Sequence, residues 1–174
     1  MKTTGVRIYD YHCWANHKIF DHLTTLPATV YRQEVTSVFP SVAVVIAHIY
    51  RVDGMWLSVM KGDPFEKIME VIKAIERQVE GKSLSEMRLL YDAMQGAYQH
   101  FFDTLGDLNQ PLPVAHPQYG KRNLPAIELV QHVVNHGTYH RGNITAMLRQ
   151  QGYVGVPTDY AFFLFDDGGP AANQ

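Results

Sequence analysis

Cysteine is nearly absent from this 174-residue chain. Cys13 stands alone, which rules out an intramolecular disulfide and any zinc finger built on a Cys-x-x-Cys pair. Charge is modest: 15 basic against 17 acidic residues leave a formal net charge of −2, with no run of Lys or Arg. Such a chain has no electrostatic surplus with which to track a phosphate backbone, so no nucleic-acid partner is expected. Long apolar runs are missing too. The longest, Val42 to Ala47, is stopped by His48, well short of the ~18 residues that a membrane span needs. The N-terminal stretch MKTTGVRIYDYHCWANHK lacks the apolar centre of a secretory signal. Together these absences predict a cytoplasmic protein with no membrane partner.

What is present is helical periodicity, and no segment alternates convincingly as a strand. From about Val6 to Leu26, apolar residues recur at steps of three and four (Ile8, Tyr11, Ala15, Ile19, Leu23) until Pro27. A second helix is predicted after Pro40. Ser41 is placed to cap it, Val42, Val45, Ile46, Ile49, Val52, Trp56 and Met60 form its buried stripe, and Gly62 with Pro64 ends it. A third starts near Ser83, where Ser83 and Glu86 have capping-box spacing, and runs to Leu105. The fourth starts near Pro125, a residue suited to a first turn, and continues to about Gln151, with Gly152 available for the left-handed close.

Residues 65–80 also have helical spacing and predict a fifth, shorter helix across the others. Residues 109–123, rich in Pro, Gly and Asn, predict a long irregular loop. After Gly152, Tyr160, Phe162, Phe163 and Phe165 predict an aromatic tail docked on the helices, followed by a disordered GGPAANQ end. No repeat or change of composition marks a second domain. The expected fold class is all-α, a four-helix bundle forming a single domain over 1–174.

Histidine carries the chemistry. VQHVVNHGTYHRGNI sets His132, His136 and His140 at four-residue steps, so neighbours lie nearly above one another and roughly 6 Å apart. Two imidazoles at that spacing can share one ion, since metal–nitrogen bonds are about 2.0–2.1 Å. Three cannot, because His132 and His140 are about 12 Å apart along the axis. A mononuclear site therefore takes either His132 with His136 or His136 with His140, and completes itself from another helix. His48, within the apolar sequence VVIAHIYRVD, is the natural third ligand. Taken alone it reads as a core histidine bonded to a carbonyl or a Tyr hydroxyl. Beside a His-x3-His pair on another inward-facing helix it reads as a ligand.

The pattern also excludes chemistries. A zinc protease of the HExxH type needs Glu after the first His, where this chain has Gly137. No Glu-x-x-His pair ends at His136 or His140, against a di-iron carboxylate centre. A three-imidazole site is left. Gly137 and Gly142 each cost about 0.8–1.0 kcal/mol relative to Ala inside a helix, which fits a close approach by another helix or a ligand.

YHCWANHKIF in the first helix, SVAVVIAHIYRVDGMWL in the second, VVNHGTYHRGNITAMLRQQG in the fourth and PTDYAFFLF beyond it together resemble the DinB/YfiT-like superfamily of metal-binding helical bundles. The likeness spans nearly the whole chain in order, and HxxxHRG with an upstream helical His is its most specific element. It implies an up-down-down-up four-helix bundle, frequent homodimers, and zinc or nickel held by His48, His136 and His140, with His132 as a neighbour. Asn143 stands where the family often has Gln, a departure that touches no ligand. Relatives imply a metal-dependent transferase of a low-molecular-weight thiol such as bacillithiol or mycothiol, acting on a small electrophile. The family name derives from damage induction, so a dimeric, non-catalytic stress-response protein is a further alternative.

Three neutral imidazoles leave a dication's charge intact and a coordination position free, the arrangement of catalytic rather than structural sites. Such an ion lowers the pKa of bound water, leading to hydrolysis, or holds a thiol as thiolate, leading to transfer. Arg51 and Arg141 are placed in sequence to hold a substrate carboxylate, or else serve as surface or ion-pairing arginines. Asn16, Tyr11 and Trp14 can line a pocket, though Tyr11 and Trp14 suit plain core packing. Asp53 is either an imidazole-orienting group or a surface residue, and His132 a core residue or a neighbour of the site. His12, His17 and His22, five apart, rotate by about 140° per step and share no face. His100 and His116 have no spaced partner, and Cys13, with no basic cluster beside it, reads as a buried residue rather than a nucleophile.

Overall fold

A computed structural model describes residues 4–116 and 118–167, and the expected GGPAANQ tail lies outside them. Four long helices carry the molecule: α1 (Thr4–Thr24), α2 (Val42–Met60), α4 (Leu84–Leu105) and α5 (Ala126–Gln150). α3 (Phe65–Val79) follows α2, a hairpin of β1 (Pro111–His116) and β2 (Gly120–Pro125) precedes α5, and a short α6 (Tyr160–Asp167) ends the described chain.

The ends of these helices follow local chemistry. Ser41 accepts from the Val44 amide at the start of α2, and Ser83 with Glu86 closes a reciprocal capping box on α4. Gly152 adopts φ 86°, a conformation that a Cβ would oppose, and the Tyr153 amide returns to the Leu148 carbonyl.

Packing closes a ring in which α1 touches α4 and α5, and α2 touches the same two helices. Close approaches give the sense of each pair. Along α1, Gly5 faces Ile127 and Asn16 bonds Arg141, so α1 and α5 run alike. Tyr9 stacks on Tyr98 while Phe20 meets Tyr91, so α4 runs against α1. Trp56 meets His132 while His48 meets His140, so α2 runs against α5. The core fills both ends of this ring, one part around Tyr98, Phe102, Val130 and Val133, the other around Phe20, Ile46, Ile49, Met147 and Leu148.

Three expectations require correction. Residues 109–123 are not an irregular loop. Pro111–His116 pairs antiparallel with Gly120–Pro125, Leu112 opposite Leu124 and Val114 opposite Arg122, so the molecule is mostly helical with a small two-stranded sheet rather than all-α. Leu112 and Val114 point inward at alternate positions, a two-residue signal that the neighbouring prolines conceal. α3 lies against α2 rather than across the ring and buries only Ile75. By average hydropathy, 1.4 over 18 residues, α2 is long and apolar enough to cross a membrane, which a search for unbroken apolar runs misses. Half of that window is buried inside the protein, and the helix carries His48, Arg51 and Asp53.

The aromatic tail is docked as expected, but as a helix. Phe163 is buried against Tyr11 and Trp14, while Phe162 and Phe165 are exposed.

Candidate metal centre

Antiparallel α2 and α5 bring together the three histidines that the resemblance singles out. His48, His136 and His140 each offer a nitrogen, and those nitrogens all lie within 4.8 Å of one another. Nε2 of His48 is 3.1 Å from Nε2 of His136. Ligands about 2.1 Å from one ion at a tetrahedral angle sit roughly 3.4 Å apart, so this separation suits a shared cation. Ring centroids are 5.0 Å apart for His48 and His136, 4.6 Å for His48 and His140, and 4.3 Å for His136 and His140.

Electrostatics keep these rings neutral. Burial, then the neighbouring His140 and Arg51, pulls His48 down to about 4 from the usual imidazole value. Burial first, then the surrounding histidines, brings His136 to about 3, and burial also lowers His140. Near pH 7 each ring therefore presents a nitrogen lone pair. Nδ1 of His136 is buried without a hydrogen-bond partner, as expected of a group whose environment is incomplete. No fourth His, Cys, Asp or Glu joins the group among the described residues. This group can hold a metal ion.

His132 stays outside. Its ring centroid is 6.4 Å from that of His136, and it leans on Trp56 at 4.7 Å. It is exposed rather than a core residue, because α5 turns this position toward the end of α2. Phe39, which the sequence did not single out, stands 5.2 Å from His48 and 5.3 Å from His140, centroid to centroid. It belongs to the aperiodic connection before α2, where no spacing rule points inward.

The two arginines separate. Arg51 lies at the rim, donating to Glu76 at 2.9 Å and to Nδ1 of His48 at 3.2 Å. Arg141 is not a surface residue, and it forms no ion pair among the described residues. It is 1% exposed, donates to Asn16 Oδ1 and Thr138 Oγ1 at 2.9 Å each, and lies under the Tyr11 ring. Asn16 and Tyr11 are thus buried beside Arg141, and Trp14 donates to Asp166 of α6.

Asp53 is buried, not on the surface, and the imidazole that it orients is that of His12, 2.9 Å away. Nδ1 of His12 in turn lies 3.4 Å from Arg141 Nη1. Asp53, His12, Arg141 and Asn16 form a polar chain from α2 through α1 to α5. Spacing along α1 gives no sign of this role for His12, because its partners lie on α2 and α5. His17 bonds Asp92 and His22 bonds the Val154 carbonyl, so the three do occupy different faces. Gly137 makes room for this chain: a Cβ there would stand 2.3 Å from His12 Cε1 and 2.9 Å from Arg141 Nη1. Gly142 has nothing within 4 Å of its would-be Cβ, so close approach does not explain it. Cys13 is buried, and desolvation raises its thiol pKa far above the usual range, which removes it as a nucleophile.

The class so defined is a mostly helical protein in which two long antiparallel helices gather three neutral imidazoles. The chain belongs to the DinB family, whose model matches residues 1–170. It is 42% identical over 165 residues to Protein DinB of Bacillus subtilis, covering 95% of this chain and 96% of that protein. Its fold is similar to the crystal structure of a DinB-like protein from Bacillus cereus, with a TM-score of 0.61 at 20% identity over 88% of this chain and 94% of the other.

Proposed function

We propose that this protein is a metal-dependent transferase of a low-molecular-weight thiol, with one zinc or nickel ion held by His48, His136 and His140. The observation that carries the reading is three neutral imidazoles meeting with no fourth side-chain ligand among the described residues. A closed structural site would have four. When bound, such an ion supplies a Lewis-acid position that favours the ionised form of a thiol.

The surrounding residues orient the rings. Asn143 Nδ2 lies 3.2 Å from Nδ1 of His140. With the amide turned over, its oxygen accepts from Nδ1–H and leaves the Nε2 lone pair free. Arg51 donates to Nδ1 of His48, which leaves that ring's single proton on Nε2, so ligation through Nε2 requires the guanidinium to release Nδ1, and Glu76 is placed to hold it when it does. Phe39 excludes water from one side of the rings. In the reaction a sulfur–carbon bond forms as the bond from carbon to its leaving group breaks. The thiol proton passes to solvent, and the leaving group keeps its electron pair.

The order of contacts along the helices supports an up-down-down-up four-helix bundle as the frame, one domain spanning the chain. The family resemblance supports a homodimer. Elemental analysis of the native protein, followed by assays of the zinc- and nickel-loaded forms with a panel of thiols and electrophiles, tests the reading. One metal per chain and metal-dependent thioether formation are expected. Ester hydrolysis without thiol transfer would instead make the protein a hydrolase. Stoichiometric metal without any turnover would make it a binding or interaction protein.

A further inference from the structure

Beside the imidazoles, on the neighbouring face of α2, lies a cleft of about 590 Å³ between the start of α2, the end of α3 and the turn into α4. Its walls carry an excess of positive charge. Arg32, Lys73, Arg77 and Lys82 line it against Glu76 and Glu80, in a chain whose net charge is −2. The partners of these groups sharpen the contrast. Glu76 is taken by Arg51, Lys82 reaches Glu86, and Arg32 is tied to the Lys82 carbonyl. Lys73 and Arg77, one helical turn apart and both exposed, have no ion pair or side-chain hydrogen bond among the described residues, and Glu80 is the one acidic group facing them unpaired. Ser41 and Val44 also line the cleft, so the positive end of the 19-residue α2 opens on it.

The cleft is joined to the imidazoles through α2. Each residue turns a helix by about 100°, which sets His48 a quarter-turn around from Ala47 in the cleft wall. Arg51, four residues from Ala47 and three from His48, projects between the two and touches both sides, Glu76 in the cleft and Nδ1 of His48.

We propose that this cleft anchors the anionic end of the substrate, a small molecule bearing carboxylate or phosphate groups, and that Lys73 and Arg77 are its specificity residues. The proposal rests on the thiol-transferase reading, because it assigns the sulfur end of the same molecule to the imidazoles. An anion arriving in the cleft also competes with Glu76 for Arg51, which couples anchoring to the ring of His48.

Titration calorimetry with two probes that carry no free thiol, S-methylglutathione for carboxylates and inorganic phosphate for phosphates, tests this directly. At least one probe binds the wild-type protein saturably, more weakly as salt rises. The same probe binds K73A/R77A about ten-fold or more weakly, as expected when charge-assisted bonds are removed. Circular dichroism verifies that this variant, altered at two exposed positions, keeps its fold. His136→Ala, offered as a metal-binding control, retains probe binding. No saturable binding by the wild type, or equal binding by K73A/R77A, overturns the anion cleft. Loss of binding in His136→Ala assigns the anion to the imidazoles instead and also overturns it. Failure of the transferase reading appears separately, as native protein that carries no metal yet still binds the probe through Lys73 and Arg77.

Discussion

At the scale of single residues, the imidazoles at 48, 136 and 140 are not interchangeable with that at 132. His48→Ala or His136→Ala is expected to abolish stoichiometric metal in elemental analysis, while His132→Ala retains it, since residue 132 is exposed and outside the group. Full metal content in His136→Ala would refute the assignment. Asp53 presents a different kind of residue. It is 2% exposed, its Oδ2 is bonded to His12, and its Oδ1 has no partner. Removing one member of a buried polar pair strands the other, at a cost of about 1–3 kcal/mol. Asp53→Ala should therefore lower the urea midpoint steeply, even in metal-free protein. A loss under about 1 kcal/mol would show that the pair is not buried as described.

At the scale of the helix, α5 holds two glycines whose roles the structure separates. Any side chain at Gly137 meets His12 and Arg141, so Gly137→Ala is expected to destabilise the protein by about 1–3 kcal/mol, as overpacking does. Gly142 sits in the same helix with open space around it and no positive φ, so Gly142→Ala should stabilise by about 0.4–1 kcal/mol. Opposite signs for two Gly-to-Ala changes five residues apart make a sharp test by thermal or urea denaturation. Equal effects would mean that α5 is rotated from the orientation described, and with it His136 and His140.

For the whole molecule, proton and metal compete for one group of nitrogens. His48 and His136 are held below the ordinary imidazole value of about 6.5 to which they return on unfolding. Between about pH 6.5 and about pH 3 the unfolded chain therefore binds more protons than the folded one, so stability falls as pH drops through that window. Metal-free protein should show its highest urea midpoint above about pH 7 and a progressive decline below it. A shallower decline in His136→Ala than in wild type would tie part of it to this ring, the remainder belonging to His48. Metal that binds only the folded protein should raise the melting temperature with concentration, and a chelator should reverse the rise.

Helix positions, their caps and the candidate ligands were legible because each rests on local spacing. A His-x3-His pair, an interrupted apolar helix and a Ser-x-x-Glu start are patterns within one element. What lay between elements was not legible. Nothing along α1 reveals that His12 pairs with Asp53, that Arg141 is buried among Asn16, Thr138 and Tyr11, or that Phe39 screens the imidazoles. The hairpin escaped because antiparallel pairing satisfies its backbone across strands whose prolines and exposed residues disguise the alternation. Local sequence thus determined which residues form helices and which side chains are able to bind a metal. The antiparallel meeting of α2 and α5 decided which of them converge, because convergence depends on how helices are rotated and packed against one another, a property that no single segment contains.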